Sequence, residues 1–312
     1  MSSQTPRSVL AALGTVQFLF AIHYIASKWL LTQIPPPAWA ALRVGGAAVV
    51  LLLLARLRGV RWSLDRSEIL RLGGLSVFGI ILNQIFFAEG LSRTVPSHSA
   101  LINASIPVNT LLIAVLLRRE SFSRRKGLAL TAALGGVLTL LSEKGFDWSS
   151  PTLRGDLLCL ANATSFSIFL VLSRPIMQRH SAWITTPVLF VVGSIGVTAY
   201  GLPELRELAW SEVSGLAWLV ATGIIVGPTV GSYGLNNWVL GRAEASTVAL
   251  FIYLQFILAA PLSWAILGEE LSWRLIPAGL LVFTGLIIAV SGQKKRAALA
   301  DGPLHSQSAA VD

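Results

Sequence analysis

Residues Thr94 to Arg125 read TVPSHSALINASIPVNTLLIAVLLRRESFSRR. From Ala100 to Leu117 no side chain is charged. At about 1.5 Å per residue, a helix over that stretch crosses most of a bilayer's hydrocarbon. Yet Asn103, Ser105, Pro107 and Asn109 fall in its middle. Lipid penalises polar groups at that depth, so they are expected to face protein or water. They cannot share one face. Asn103, Pro107 and Thr110 form one stripe, and Ser105 and Asn109 another. One stripe is expected to line a pathway and the other to bond a neighbouring helix. Pro107 frees a backbone carbonyl near Asn103, which favours that region as the pathway.

The stretch has an echo. Ala249 to Ser291 overlays Ala100 to Ser142 without a gap. Identities in this register include Ala100/Ala249, Leu101/Leu250, Glu120/Glu269, Ser123/Ser272, Arg125/Arg274, Gly136/Gly285 and Ser142/Ser291. Shared apolar type is cheap in so apolar a chain. Matched Glu, Ser, Arg and Gly are not, and they read as an internal duplication.

Composition agrees with a membrane-embedded chain. Of the 312 residues 54% are hydrophobic and 12% charged, with mean hydropathy +0.69. A soluble domain carries about twice that share of charge. A single cysteine, Cys159, excludes an intrachain disulfide and a Cys-based metal cage, and reads as a small packing residue.

Ten apolar runs follow one another, at about 9–31, 37–57, 70–92, 95–117, 125–142, 154–176, 182–203, 213–239, 244–267 and 273–292. The first is read as a retained helix rather than a signal peptide. The connections are too short to hold a soluble domain. The expected architecture is therefore an all-α integral membrane protein. It has ten transmembrane helices, as two inverted five-helix repeats (8–142 and 154–292) around a central cavity, and a disordered cytoplasmic tail, 293–312.

Lys and Arg set the orientation. With the N-terminus in the cytoplasm, only Arg93, Lys144, Arg154, Arg206 and Arg274 fall outside, and Lys28 and Arg43 lie within helices. The other seventeen are cytoplasmic, so both termini are placed inside. The net charge of +9 is thus explained by topology, with no nucleic-acid partner. An odd number of spans per repeat inverts the second copy. Such repeats place a binding site near the midplane and work by rocking one half on the other.

At this point the chain resembles the EamA-type branch of the drug/metabolite transporter superfamily, over about Ser8 to Ser291. The resemblance rests on PPPAWAALR ending at Arg43, the unit from Pro107 to Glu120, Gly155-Asp156-Leu157-Leu158, and Tyr253-Leu254-Gln255 followed by Leu267-Gly268-Glu269. Phe256 stands where the family commonly has proline, and Val16-Gln17-Phe18 where it commonly has a Trp-Gly pair. The resemblance implies a ten-helix exporter or exchanger of small metabolites in the bacterial inner (plasma) membrane, working without ATP.

Candidate site residues are the polar side chains of six runs. Gln17, His23, Asn83, Gln84, Asn103, Tyr233, Asn236, Tyr253 and Gln255 are expected to bind substrate. Asn109 and Asn162 are further embedded amides. Any one of these is as readily structural glue, because interhelical hydrogen bonds in membranes average about 0.6 kcal/mol. Lys28, Arg43 and Glu89 are read as an outer gate in which the acid pairs with either base. Gly223, Gly227 and Gly231 repeat every four residues around Pro228. That pattern fits close helix packing or a hinge at Gly227 and Pro228. An ungapped match of the third and eighth runs sets Gly223 on Gly79.

The partners implied are a small-molecule substrate and membrane lipid, with no metal and no cofactor. No G-x-S-x-G, H-E-x-x-H, phosphate-loop motif or embedded carboxylate pair points to an enzyme. A lipid-handling protein or a sensor remains as an alternative. The mixture of amide, Tyr and aromatic side chains suits an amphipathic zwitterion such as an amino acid, or a small organic cation.

Overall fold

The computed structural model describes residues 7–118, 122–142, 149–240, 242 and 251–300, and among them every regular element is helical. The helices are α1 (Arg7–Leu30), α2 (Pro36–Leu57), α3 (Arg66–Arg93), α4 (Pro96–Leu116), α5 (Arg124–Leu141), α6 (Pro151–Arg179), α7 (Ala182–Glu207), α8 (Gly215–Leu240), α9 (Tyr253–Leu267) and α10 (Leu275–Ala300). Seven of them, α1 to α4 and α6 to α8, are long and apolar enough to cross a membrane. The other three contain shorter apolar stretches, Gly127–Leu141, Leu254–Leu267 and Leu275–Gly285. Large apolar side chains such as Leu53, Ile195, Leu219, Trp264 and Ile287 stay exposed on the bundle's outside. That is the surface of an integral membrane protein, whose solvent is lipid.

Local chemistry sets the ends. Pro36, Pro96 and Pro151 occupy the first turns of α2, α4 and α6, where a missing N–H costs nothing. Asp65 and Glu68 form a reciprocal capping box at the start of α3. Gly268, with φ of 66°, turns the chain out of α9.

Three helices are irregular. In α3 the winding widens to a π turn over Val77–Leu82, and in α8 over Ile225–Gly231. The register that sets Ala100 on Ala249 puts these turns on each other and Gly79 on Pro228. The expected match of Gly79 with Gly223 is therefore out of step with the structure. Helix α4 breaks at Ala104 and Ser105, just before Pro107, where the Ser105 hydroxyl donates to the Ile102 carbonyl at 2.6 Å.

Two further differences concern the C-terminal half. The run expected at 244–267 is described as helix only from Tyr253, its first residues lying outside the described set. Helix α10 continues to Ala300, past the end expected at 292, because Arg296-Ala297-Ala298-Leu299-Ala300 are strong helix formers. Glu120, Lys144 and the tail from 301 lie outside the described residues.

Packing is pairwise. Helix α2 lies along α7 and α5 along α10; α1 packs on α8 and α9, and α6 on α3 and α4. The α5–α10 crossing is close. A side chain at Gly136 would meet the Ala278 carbonyl at 2.5 Å and Val282 at 2.7 Å. One at Gly285 would meet the Ala129 carbonyl at 2.6 Å and Ala133 at 3.0 Å. At the ends of the same pair, Arg125 donates to the Ile288 carbonyl and Arg274 to the Ser142 hydroxyl. The glycines of α8 behave differently. A Cβ at Gly223 finds nothing within 4 Å, and those at Gly227 and Gly231 meet only ordinary contacts. Close packing therefore does not account for their spacing.

Candidate functional site: a polar cavity among seven helices

Where α1, α2, α3, α4, α6, α8 and α9 converge they leave a cavity with about 620 Å³ of space, the open solvent at its mouth included. Helix α1 lines it with Gln17, Phe20, His23 and Tyr24, one face over two turns. Helix α3 supplies Asn83, Gln84 and Phe87, directly after its π turn. Helix α4 supplies Asn103 and Ile106, on either side of its break. Asn162, Phe166 and Leu170 come from α6, Tyr233 and Asn236 from α8, and Gln255 from α9. Arg43 is the contribution of α2.

Eight of the nine expected binding residues thus meet in one place. The ninth, Tyr253, has its side chain outside the described set. Asn109 is absent from the lining; it donates to Ser105 within α4, and of the Asn103, Pro107 and Thr110 stripe only Asn103 reaches the cavity.

The amides and phenols are cross-linked. Gln84 Nε2 donates to Tyr233 Oη at 2.7 Å and to Asn83 Oδ1 at 3.0 Å, and Tyr233 donates to Asn83 at 2.9 Å. Asn162 donates to the Asn83 carbonyl at 2.7 Å. On the facing side, Gln255 donates to Gln17 and accepts from Tyr24 at 3.0 Å. Most of these residues are therefore glue and lining together. Asn103 donates to the Ser99 carbonyl one turn back, at 3.0 Å. Among the described residues lining the cavity, two buried polar atoms are left without partners, Gln84 Oε1 and His23 Nε2. His23 bonds Ser27 through Nδ1 at 2.7 Å and stacks on Phe87 with centroids 4.8 Å apart.

The expected gate resolves differently. Glu89 pairs with Arg93, one helical turn on, and accepts from Tyr200 at 2.9 Å. Neither Arg43 nor Lys28 reaches it, because an acid and a base four residues apart on one helix are already neighbours. Arg43 turns instead into the cavity. Its Nε donates to Thr229 Oγ1 at 2.8 Å, and its guanidinium lies 5.6 Å from the Phe87 ring centre. Lys28 caps the α3–α4 corner, donating to the carbonyls of Leu91, Ser92 and Thr94 at 2.6–3.1 Å.

One polar cluster escaped the sequence reading. Asp156, 2% exposed, accepts from Thr94 and contacts His98 Nδ1 at 3.0 Å. Beside this corner Glu269 accepts from Ser97 and Ser263. In the sequence Asp156 stands within Gly155-Asp156-Leu157-Leu158 and His98 in the stretch that follows Thr94, 58 residues apart. Their proximity depends on how α4 and α6 pack, which no local pattern encodes.

A helical membrane bundle that encloses a polar cavity part-way along its helices has the architecture of a solute transporter. The comparisons agree. The EamA-like transporter family matches residues 7–142 and 153–291, and the chain belongs to that family. The uncharacterized transporter YcxC of Bacillus subtilis is 24% identical over 294 residues, spanning 91% of this chain and 92% of that protein. Protein WALLS ARE THIN 1 of Arabidopsis thaliana is 24% identical over 357 residues, spanning 95% and 87%. A solved crystal structure superposes with a TM-score of 0.67 at 19% identity, covering 92% of this chain and 97% of that one, a likeness of fold alone. The protein is a membrane transporter of the EamA family.

Proposed function

We propose that the chain is a secondary, ATP-independent transporter. It moves small amphipathic metabolites, amino acids or related compounds, across the bacterial inner membrane by alternating access, as an exporter or exchanger with both termini cytoplasmic. The observation that carries this reading is the cavity, where eight embedded polar residues from five helices meet. Polar side chains at that depth are expensive unless they serve a pathway or bond one another. Here they do both.

The reading includes ten spans as two inverted five-helix units. Its support is the pattern of contacts. Gly136 and Gly285 are mates in the repeat register, and so are Ala129 and Ala278, and Ala133 and Val282; each glycine presses on the other's counterpart. Exchanging every helix for the one five places along maps the packing of α1 on α8 and α9 onto that of α6 on α3 and α4. The two π turns coincide in the same register. We place the flexing points in those turns, with Gly227 and Pro228 inside the second, and the outer closure at the Lys28 corner.

The test is exchange of labelled solutes in proteoliposomes, with and without an imposed proton gradient. Asn103→Leu, which loses only a bond within its own helix, is expected to abolish exchange while the melting temperature holds. Undiminished exchange in that variant would remove the cavity from the pathway.

A further inference from the structure

We infer that Arg43 is the anchor for a carboxylate, so that the transported solute carries one and organic cations are excluded. The inference rests on the transporter reading above and names the substrate's chemical class.

Seventeen described residues line the cavity; among them Arg43 is the one that carries a permanent charge, and none is Asp or Glu. Arg43 is 3% exposed, and an arginine does not escape its charge by losing a proton. Buried charges are paired, or they are costly. Among the described residues no carboxylate lies within salt-bridge distance of Arg43. The nearby acids are engaged elsewhere: Glu89 with Arg93 and Tyr200, Asp156 with Thr94 and His98, Glu269 with two serines.

Thr229 takes the Nε–H and holds the guanidinium in place, its own hydroxyl donating to the Ile224 carbonyl inside the π turn at 2.9 Å. Neither Nη atom makes a hydrogen bond to a described residue. This leaves the planar fork of the guanidinium on the cavity side, the arrangement that takes a carboxylate through two parallel bonds. A threonine and an aromatic face steady the side chain without neutralising it.

Gln84 Oε1 is a buried acceptor with no partner in the same cavity. A ligand N–H satisfies it, and an ammonium does so with charge assistance. Phe20, Phe87 and Phe166 supply apolar wall. A compound with a carboxylate, an N–H donor and an apolar body meets all three demands. A compound with an ammonium alone brings a second positive charge to an unneutralised guanidinium, which is discrimination by repulsion.

Four probes sharing a phenyl body separate the cases: phenylalanine, 3-phenylpropionate, phenylalanine amide and phenylethylamine. Competition binding to the purified, detergent-solubilised protein is measured first, alongside mixed pools of other amino acids, organic acids, amines and sugars. Every ligand found is expected to bear a carboxylate, and its amide is expected to bind at least tenfold more weakly. Arg43→Gln is expected to lose carboxylate binding by tenfold or more, with Arg43→Lys in between. The selectivity of the unaltered protein stands as a test even if Arg43→Gln does not fold. An amine, amide or sugar bound as well as any acid would overturn the anchor and leave the transporter reading in place, as would full acid binding by Arg43→Gln. Absence of binding in every pool would remove the transporter reading of the cavity and the inference with it.

Discussion

Gly136 in α5 and Gly285 in α10 stand at mated positions, and each presses on the other helix's backbone. Gln84 in α3 and Tyr233 in α8 are also mates, and they bond to each other. Asn103 is the mate of Ile252, Ile106 of Gln255, and Phe87 of Asn236, and all six line the cavity. In the proposed repeat register, then, these mated residues share positions. Around the cavity they do not share chemistry: amide faces aliphatic, and aromatic faces amide. Arg43 sharpens the contrast, because α7, the helix matching α2, sends no side chain to the cavity. Small residues at helix crossings are held alike by backbone clearance in both halves. Side chains around the cavity are free to differ, and a solute without two-fold symmetry requires that they do.

The sharpest way to break this comparison is at the crossing. Gly136→Leu and Gly285→Leu each force a side chain onto a backbone carbonyl, which cannot step aside. Overpacking of a close-fitted site typically costs about 1–3 kcal/mol and occasionally more. Both variants are expected at the upper end, with matching losses of thermal stability in detergent. Gly135→Leu, whose Cβ meets only a leucine methyl at 3.9 Å, is expected to be mild. If one mated glycine tolerates leucine and the other does not, the crossing is not two-fold.

The second comparison sets two cavity amides against each other. Asn103→Leu and Gln255→Leu are both expected to abolish exchange. Their costs in stability should differ. Gln255→Leu strands the Tyr24 hydroxyl and Gln17, at about 1–3 kcal/mol for buried groups left unpaired. Asn103→Leu strands only a helical carbonyl and should melt near the parent. Equal melting temperatures would mean that the Gln255 bonds hold nothing together.

These contrasts also explain what a sequence can reveal here. The membrane runs were legible because lipid imposes a length and a composition. The proposed duplication rests on Glu, Ser, Arg and Gly matched in register, which apolar drift alone does not produce. Eight cavity residues were legible because polarity at depth is rare. Arg43 was visible as embedded, but the sequence paired it with Glu89, since charges attract and depth alone does not say which way a side chain turns. Arg93, four residues along, had the shorter reach. The π turns left no signal, because an i→i+5 turn requires no particular residue. The glycine repeat around the second π turn suggested packing, and the space beside it is open.

Glu89→Gln tests the gate at its reassigned place. The pair with Arg93 is near the surface, with Arg93's side chain 41% exposed, and such pairs contribute about 0–1 kcal/mol. Exchange and outer accessibility are expected to change little. A large rise in accessibility from outside would restore Glu89 to the closure and shift weight away from the Lys28 corner.

The smallest effect is expected at Pro228, and it decides what the two π turns have in common. Proline lacks an N–H and commonly kinks a helix, so the turn in α8 has an obvious cause. The turn in α3 has none: Val77–Leu82 reads VFGIIL. Two matched turns, one with proline and one without, point to a shared cause in the packing. In α8 the Thr229 hydroxyl already serves the Ile224 carbonyl and is itself held by Arg43. In α3 the ring of Phe169 occupies the space that a Cβ at Gly79 would take. Each wide turn is thus gripped from outside the helix. Pro228→Ala is expected to keep the π winding and leave cysteine accessibility unchanged on both faces. Thr229→Val, which frees the Ile224 carbonyl and releases Arg43, is expected to shift that accessibility instead. Should Pro228→Ala alone straighten α8 and bias the protein toward one facing state, the hinge lies in the proline, and the likeness of the two turns is a coincidence of position.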